Sequence, residues 1–285
     1  MSETNLGREH VIRLAGSKLH YWVYGPSQGA PVIIAIHGFR GTHHGLERII
    51  EQLPDYTVIA PDLPGFGDST PMEDIAHDID GYAELFAQFI PIVTGPRDNV
   101  ILLGHSFGSI VAAKLVADGG TNAKKLILIN PIAKQPHIVG RLGSILYFAV
   151  GGTLSEHRAR KYFGWPVAIN ALSLQMTKTR HRPTREYVKD QHLTHFSRYS
   201  TKQTLRESFQ ASVTRTVGEY ASKIKIPTLL IAGERDEIAP LKSQLELYKS
   251  LDTPTELAVI PNVGHLVHYE TPTEVATYIT AFIED

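Results

Sequence analysis

The chain has 285 residues, 42% of them hydrophobic, enough to bury a sizeable core in one large domain or in a core with an inserted subdomain. Charged residues make up 20% and the formal net charge is −1, so the overall balance gives no sign of a nucleic-acid partner. There is no cysteine, which excludes disulfides, thiolate metal ligands and a cysteine nucleophile.

The opening residues, Met1-Ser2-Glu3-Thr4-Asn5, are polar and lead into no apolar signal core, so no secretory signal is expected. No stretch reaches the roughly 18–20 uninterrupted apolar residues of a membrane span. The nearest, 138–154, carries Arg141 and four glycines. A cytoplasmic protein without a transmembrane segment is the expectation.

Apolar runs over 11–14 and 19–24 flank the turn Ala15-Gly16-Ser17 and predict an antiparallel hairpin. Short Val- and Ile-rich runs follow at 32–36, 56–60, 100–103, 126–129, 228–231 and 257–260. They do not alternate strictly, which suits parallel strands buried on both faces. Between them, apolar residues recur at helical spacing over 74–93, 240–251 and 273–283, and the Ala-rich stretch 109–118 ends at Gly119-Gly120, a C-cap signal, so four helices are predicted. Strand–helix alternation of this kind predicts a mostly parallel sheet with helices on both faces.

Residues 131–218 break the pattern. They contain no convincing buried strand and read as a helical insertion, dividing the chain into a core of 1–130 with 219–285 and an inserted unit of 131–218. From Lys134 to Arg215 there are fourteen Lys and Arg against four Asp and Glu, a balance of +10. A near-neutral chain therefore conceals a basic insertion on an acidic core.

The chemistry is carried by Val100-Ile101-Leu102-Leu103-Gly104-His105-Ser106-Phe107-Gly108-Ser109. A buried strand, then Gly-x-Ser-x-Gly, then a small-residue helix is the setting of a nucleophile elbow, where a sharp turn lifts the serine hydroxyl above the sheet. Gly104 and Gly108 remove side chains that would collide with neighbouring elements. A serine hydroxyl needs a base. Of fourteen histidines, His265 is favoured over His268, because it follows the last strand and a loop would bring it to the sheet's C-terminal edge. His105 reads as a packing or orienting residue. The base needs a carboxylate. Asp236, just beyond the 228–231 strand, is chosen over Glu234 and Glu237, which read as a solvated turn residue and a first-turn helix residue.

With these residues in place, the chain resembles the α/β-hydrolase superfamily over roughly 10–130 and 218–284. His37-Gly38-Phe39-Arg40-Gly41 looks like its oxyanion loop, and Asp62-Leu63-Pro64-Gly65-Phe66-Gly67-Asp68-Ser69 like its Asp-x-x-Gly-x-Gly-x-Ser loop. The elbow, the Asp236 loop and Gly264-His265-x-x-His268-x-Glu270-x-Pro272 follow in the family's order. The resemblance implies an α/β-hydrolase fold with an eight-stranded sheet and a helical cap over 131–218. It implies backbone N–H groups of Phe39 and Phe107 as the oxyanion hole, with His37, Gly38 and His105 lining the substrate site. Serine at the elbow counts against dehalogenase and epoxide-hydrolase relatives, which carry Asp there. Asn130 stands where some members take their acid, leaving Asp236 unchallenged.

The expected reaction is hydrolysis of a carboxylic ester, or a thioester, through an acyl-enzyme, on a small-molecule acyl substrate and with no cofactor or metal. A carbon–carbon bond hydrolase of the same fold and a ligand receptor with little turnover stand as alternatives. His181, His192 and His195 read as parts of a solvated basic helix, not as a metal site. The cations Lys178, Arg180, Arg182 and Arg185, with Arg158, Arg160 and Lys161, could steer an anionic substrate, an acidic carrier or a phospholipid surface. The apolar run 145–150 could meet an acyl chain. A solvated helix face with its positive charge outward is the plainer reading of the basic patch.

Overall fold

The computed structural model describes residues 7–285 except 74, 98, 136 and 137, with side chains left undescribed for 138–141. The polar residues 1–5, Asp74 and the Arg141 side chain, all used above, lie outside the described residues.

Eight strands form one sheet: β1 (Arg8–Leu14), β2 (Ser17–Tyr24), β3 (Val32–Ile36), β4 (Thr57–Pro61), β5 (Val100–His105), β6 (Lys125–Ile129), β7 (Thr228–Gly233) and β8 (Thr255–Ile260). They lie in the order β1-β2-β4-β3-β5-β6-β7-β8. β2 runs antiparallel to β1 and β4, and all other neighbours are parallel. The expected hairpin turns at Ala15 (φ 49°) and Gly16 (φ 73°), with Leu14 paired to Ser17. Two positive φ values in a two-residue loop match the right-handed twist of the strands.

β3, β4, β5 and β7 are buried along their whole length, as continuous apolar runs require. One face packs under α2 (Ile79–Thr94) and α3 (Phe107–Ala117), through Tyr82, Phe86, Phe89 and Ile110. The other packs under α1 (Glu47–Ile50) and the C-terminal helix, through Ile49, Val275, Ile279 and Phe282. The helix predicted over 74–93 starts later, at Ile79, because Asp78 is extended and its carboxylate accepts the Gly81 N–H at 2.9 Å.

Between β6 and β7 the chain builds α4 (Ile138–Thr153), α5 (Glu156–Phe163), α6 (Pro166–Met176), α7 (Arg182–His195) and α8 (Lys202–Thr214). No named strand occurs there among the described residues. Tyr199 makes an isolated bridge to Phe66 of the core. After β7 come α9 (Leu241–Ser250), α10 (Val267–Glu270) and α11 (Pro272–Glu284). Glu237 was expected in the first turn of a helix. It sits instead in the loop before α9, because the Asp236 carboxylate ties down the N–H groups of Ile238 and Ala239 and holds that stretch as a turn. Among the described residues, no helix is long and apolar enough to cross a membrane.

Candidate active site

β5 ends at His105 and α3 starts at Phe107, so a single residue, Ser106, makes the reversal. Its φ of 53° and ψ of −114° are strained for a residue with a side chain, and such strain persists only where the surroundings enforce it. Here they do. The Ser106 N–H donates to Ile129 O at 3.0 Å, and its carbonyl accepts from Ser109 N at 3.0 Å. The elbow glycines permit the approach. A Cβ on Gly108 would stand 2.3 Å from Ile36 O, and one on Gly104 would stand 2.4 Å from Gly108 O. Within this buried stretch Ser106 alone is partly accessible.

Three loops from the C-terminal ends of β5, β7 and β8 meet at this point. His265 Nε2 lies 2.8 Å from Ser106 Oγ, and His265 Nδ1 lies 2.7 Å from Asp236 Oδ2. Asp236 Oδ1 accepts from the Ile238 N–H at 2.7 Å and the Ala239 N–H at 2.9 Å. Burial pushes the Asp236 carboxyl up, but the adjoining His265 and these hydrogen bonds outweigh it. The carboxyl is therefore held below its ordinary value and stays ionised. Asn130, which stands where some relatives take their acid, does different work. Its side chain accepts the Gly233 N–H and donates to Gly264 O, both at 3.0 Å, and so clamps the loops that carry Asp236 and His265.

The loop after β3 reaches the same point. A Cβ on Gly38 would lie 3.3 Å from the Ser106 Cβ. The N–H groups of Phe39 and Phe107 donate to no protein acceptor among the described residues. The Phe107 N–H is free because it opens α3, where the first amides have no intrahelical partner. His37 was expected to line the substrate site. The structure turns it inward: Nδ1–H donates to Gly38 O at 2.8 Å and Nε2 accepts the Leu63 N–H at 2.9 Å, so both ring nitrogens are occupied. His105 is likewise turned away from any substrate. It is buried, its Nε2–H donates to His265 O at 3.3 Å, and its ring lies 4.1 Å from that of His268. Burial pushes the His105 pKa down to about 3 and that of His268 well below its ordinary value, so both are neutral spacers behind the His265 loop.

Above Phe39 the insertion supplies an aromatic roof. Phe148 of α4 lies 5.6 Å from Phe39 and stacks at 3.8 Å on Phe209 of α8. Phe209 is in turn 6.1 Å from Phe39, and Phe107 is 6.4 Å from it. Arg40, the next residue of the loop, is buried and donates to Phe163 O and Phe196 O, each at 2.9 Å. Glu270 takes three backbone N–H groups, from Gly264 (3.1 Å), Lys178 (3.0 Å) and Thr179 (2.5 Å). His265 N–H donates to Met176 O at 3.1 Å, and Lys178 Nζ meets Glu237 at 2.6 Å. The stretch between α6 and α7 is thereby fastened to both the histidine and the acid loops.

His192 was expected on a solvated face with His181 and His195. It is instead buried, with Nδ1 2.6 Å from Ser173 Oγ on α6, because α6 and α7 pack face to face. Burial takes its pKa down to about 3. His43, His44 and Glu47 form a group with metal-ligand chemistry. Their nearest atoms already serve one another and Asp62: His43 Nδ1 is 2.8 Å from Asp62 and His44 Nδ1 is 3.1 Å from Glu47. An open groove of about 490 Å³ between α6 and α7 is lined by Leu174, Arg182, Arg185 and Lys189, and lies apart from Ser106.

A family model described as the alpha/beta hydrolase fold matches residues 31–272. The chain belongs to the alpha/beta hydrolase fold family. It is 28% identical over 241 residues to a pimeloyl-[acyl-carrier protein] methyl ester esterase of Neisseria meningitidis serogroup B, covering 82% of this chain and 85% of that protein. It is 24% identical to the proline iminopeptidase PfmaB of Pestalotiopsis fici, covering 96% and 98%. Among solved structures, MGS-M2, an alpha/beta hydrolase enzyme from a Medee basin deep-sea metagenome library, superposes with a TM-score of 0.80 at 20% identity, over 97% of this chain and 98% of that one.

Within this hydrolase the residues that sequence reading missed are Arg40, Glu270 as a clamp, Asn130 as a clamp, and the Phe39–Phe148–Phe209 aromatic set. Arg40 and Glu270 stand inside the His37–Gly41 and Gly264–Pro272 motifs, but nothing local announces partners more than ninety positions away.

Proposed function

We propose that the protein is a serine esterase that cleaves carboxylic esters through an acyl-enzyme, with Ser106 as nucleophile, His265 as base and Asp236 as its orienting acid. The observation that carries this reading is the unbroken Ser106–His265–Asp236 hydrogen-bond chain, 2.8 and 2.7 Å long, at a strained and partly accessible turn. Asp236 accepts the Nδ1–H of His265 and leaves the Nε2 lone pair facing Ser106 Oγ. Ser106 attacks the ester carbonyl as Nε2 takes its proton. The carbonyl oxygen, now negative, receives the free N–H groups of Phe39 and Phe107. Each such donor contributes on the order of 3 kcal/mol to the transition state. His265 then hands its proton to the leaving alkoxide, and a water, deprotonated by the same ring, releases the acid.

The helices between β6 and β7 act as a cap in this reading. Phe148 and Phe209 form an apolar wall over Phe39, suited to an acyl chain or apolar alcohol beside the oxyanion donors. The choice of an ester follows the uncharged aromatic lining and the ester-cleaving relative named above. A panel of p-nitrophenyl esters, thioesters and prolyl amides tests it. Ester turnover is expected in the wild type, with stoichiometric fluorophosphonate labelling at Ser106, and both are lost in Ser106→Ala while the thermal unfolding midpoint is retained. Undiminished ester turnover in Ser106→Ala overturns the mechanism, and prolyl amide turnover without ester turnover overturns the substrate class.

A further inference from the structure

We infer that the outer face of α4 is a docking surface for the anionic phospholipid surface of a membrane. An ordinary surface helix is apolar on one face and polar on the other. α4 is apolar on both. Its inner face carries Tyr147 and Phe148, whose rings meet Phe163 and, for Phe148, Phe39 and Phe209. The run over 145–150 is therefore split. Tyr147 and Phe148 point to the site, while Ile145, Leu146 and Val150 join Leu142 in solvent. Leu142 is 54% exposed, Leu146 65%, Val150 42% and Ile145 36%. Positions 142, 145, 146 and 150 recur at helical spacing and form one stripe. Isolated apolar residues on a surface mean little, but a continuous stripe marks an interaction site.

Charge decides what the stripe meets. No acidic residue occurs in α4. α5 packs against it and exposes Arg158 and Lys161, which form no ion pair among the described residues. α8, also against α4, exposes Arg206 in the same state. Apolar side chains flanked by cations are the composition that lies in a bilayer interface, aliphatic groups among the acyl chains and cations at the phosphates. The cap's balance of +10 within a chain of net charge −1 places attraction to such a surface on this one unit. Because the opposite face of α4 roofs Phe39, a docked enzyme holds its site beside the lipid. That last step rests on the esterase reading, whereas the docking does not.

The test is co-sedimentation of the full chain with vesicles of phosphatidylcholine alone and of phosphatidylcholine with phosphatidylglycerol. The wild type is expected to pellet with the mixed vesicles, more weakly with phosphatidylcholine, and to be released by salt. Leu142→Glu/Leu146→Glu is expected to lower the partition on the order of tenfold or more. Arg158→Glu/Lys161→Glu is expected to abolish the preference for the anionic vesicles. A far-UV circular dichroism spectrum and a thermal unfolding midpoint unchanged in both variants confirm that they fold. Three results overturn the inference: a wild type that pellets with neither vesicle, a leucine variant that pellets as the wild type does, or a wild-type dimer in light scattering that the leucine variant turns into a monomer. Binding is read without turnover, so a chain that floats with vesicles yet hydrolyses nothing overturns the esterase reading and leaves the docking standing.

Discussion

Arg40 Nε donates to the carbonyl oxygen of Phe196, 2.9 Å away, across 156 positions of the chain. The same guanidinium reaches Phe163 O through Nη2, so one side chain of the loop after β3 holds the ends of both α5 and α7. Burial pulls the guanidinium below its ordinary pKa, with Tyr147 opposing, and among the described residues no carboxylate pairs with it. Arg40→Met leaves two carbonyls without donors, an expected destabilisation of about 1–3 kcal/mol, since recovered desolvation offsets part of the loss. Hydrogen exchange should quicken across 156–200 while the amides of β5 and β6 stay protected. Unchanged exchange in that segment would show that Arg40 does not hold the insertion down.

Glu270 couples the insertion to the histidine loop, and its protonation should be visible in stability. Burial raises its carboxyl above the ordinary value, and the three N–H donors do not fully compensate. Folding therefore takes up a proton here, and the wild type gains stability as pH falls from the folded pKa toward the unfolded value of about 4.3. Glu270→Gln cannot titrate and does not share that gain. The variant is expected to be less stable by about 1–3 kcal/mol, because an amide turns N–H toward N–H donors. The gap should widen on acidification through this window. Paired urea titrations at several pH values read it, and a gap that narrows as pH falls contradicts the raised carboxyl.

Asp236→Asn should retain the fold and lose the reaction. The amide can donate to His265 Nδ1, which places the remaining proton on Nε2, facing Ser106 Oγ with nothing to accept the serine proton. A loss of kcat on the order of 10⁴-fold, with KM little changed, is expected for the wrong tautomer. Stopped-assay kinetics on the best ester of the panel measure it. A drop of less than about tenfold would mean that Asp236 is not the orienting acid.

What could be read in the sequence divides along physical lines. The central strands could be read because each carries a continuous apolar run, and the sheet buries β3, β4, β5 and β7 along their whole length. Ser106 could be read because a nucleophile elbow is local, with strand, turn and helix all within fourteen residues. Asp236 and His265 could be placed because each directly follows a strand, and parallel strands deliver their C-terminal loops to one edge. His37 shows the opposite case: its position beside the site was legible, but the direction of its side chain was not, whereas His105, read as a packing or orienting residue, is indeed buried behind the His265 loop. Which nitrogen meets Leu63 N or His265 O is fixed by neighbours 26 and 160 positions away. His192 was misread on the same ground, since the face α7 turns to α6 emerges only when the two helices pack.

These inward histidines make the fold sensitive to acid in a specific range. Burial lowers the pKa of His105 and His192 to about 3 each, and that of His268 well below the ordinary value. For a histidine with a depressed folded pKa, the unfolded chain binds the extra proton. Stability is then complete above the unfolded value of about 6.5 and is lost as pH falls toward the folded pKa. The Asp236 carboxyl, held below its ordinary value, adds a loss only below about pH 4. Each buried imidazole contributes a slope of up to about 1.4 kcal/mol per pH unit between about pH 6 and pH 4. Urea unfolding of the wild type across this range should therefore steepen well above the carboxylate region. His192→Phe should reduce the slope by about one proton's worth, because its ring lies in a stack with Phe196, 4.0 Å away, that a phenyl group can share. An unaltered slope in that variant would mean that His192 already carries a proton in the folded protein, and that the α6–α7 interface is wetter than its geometry implies.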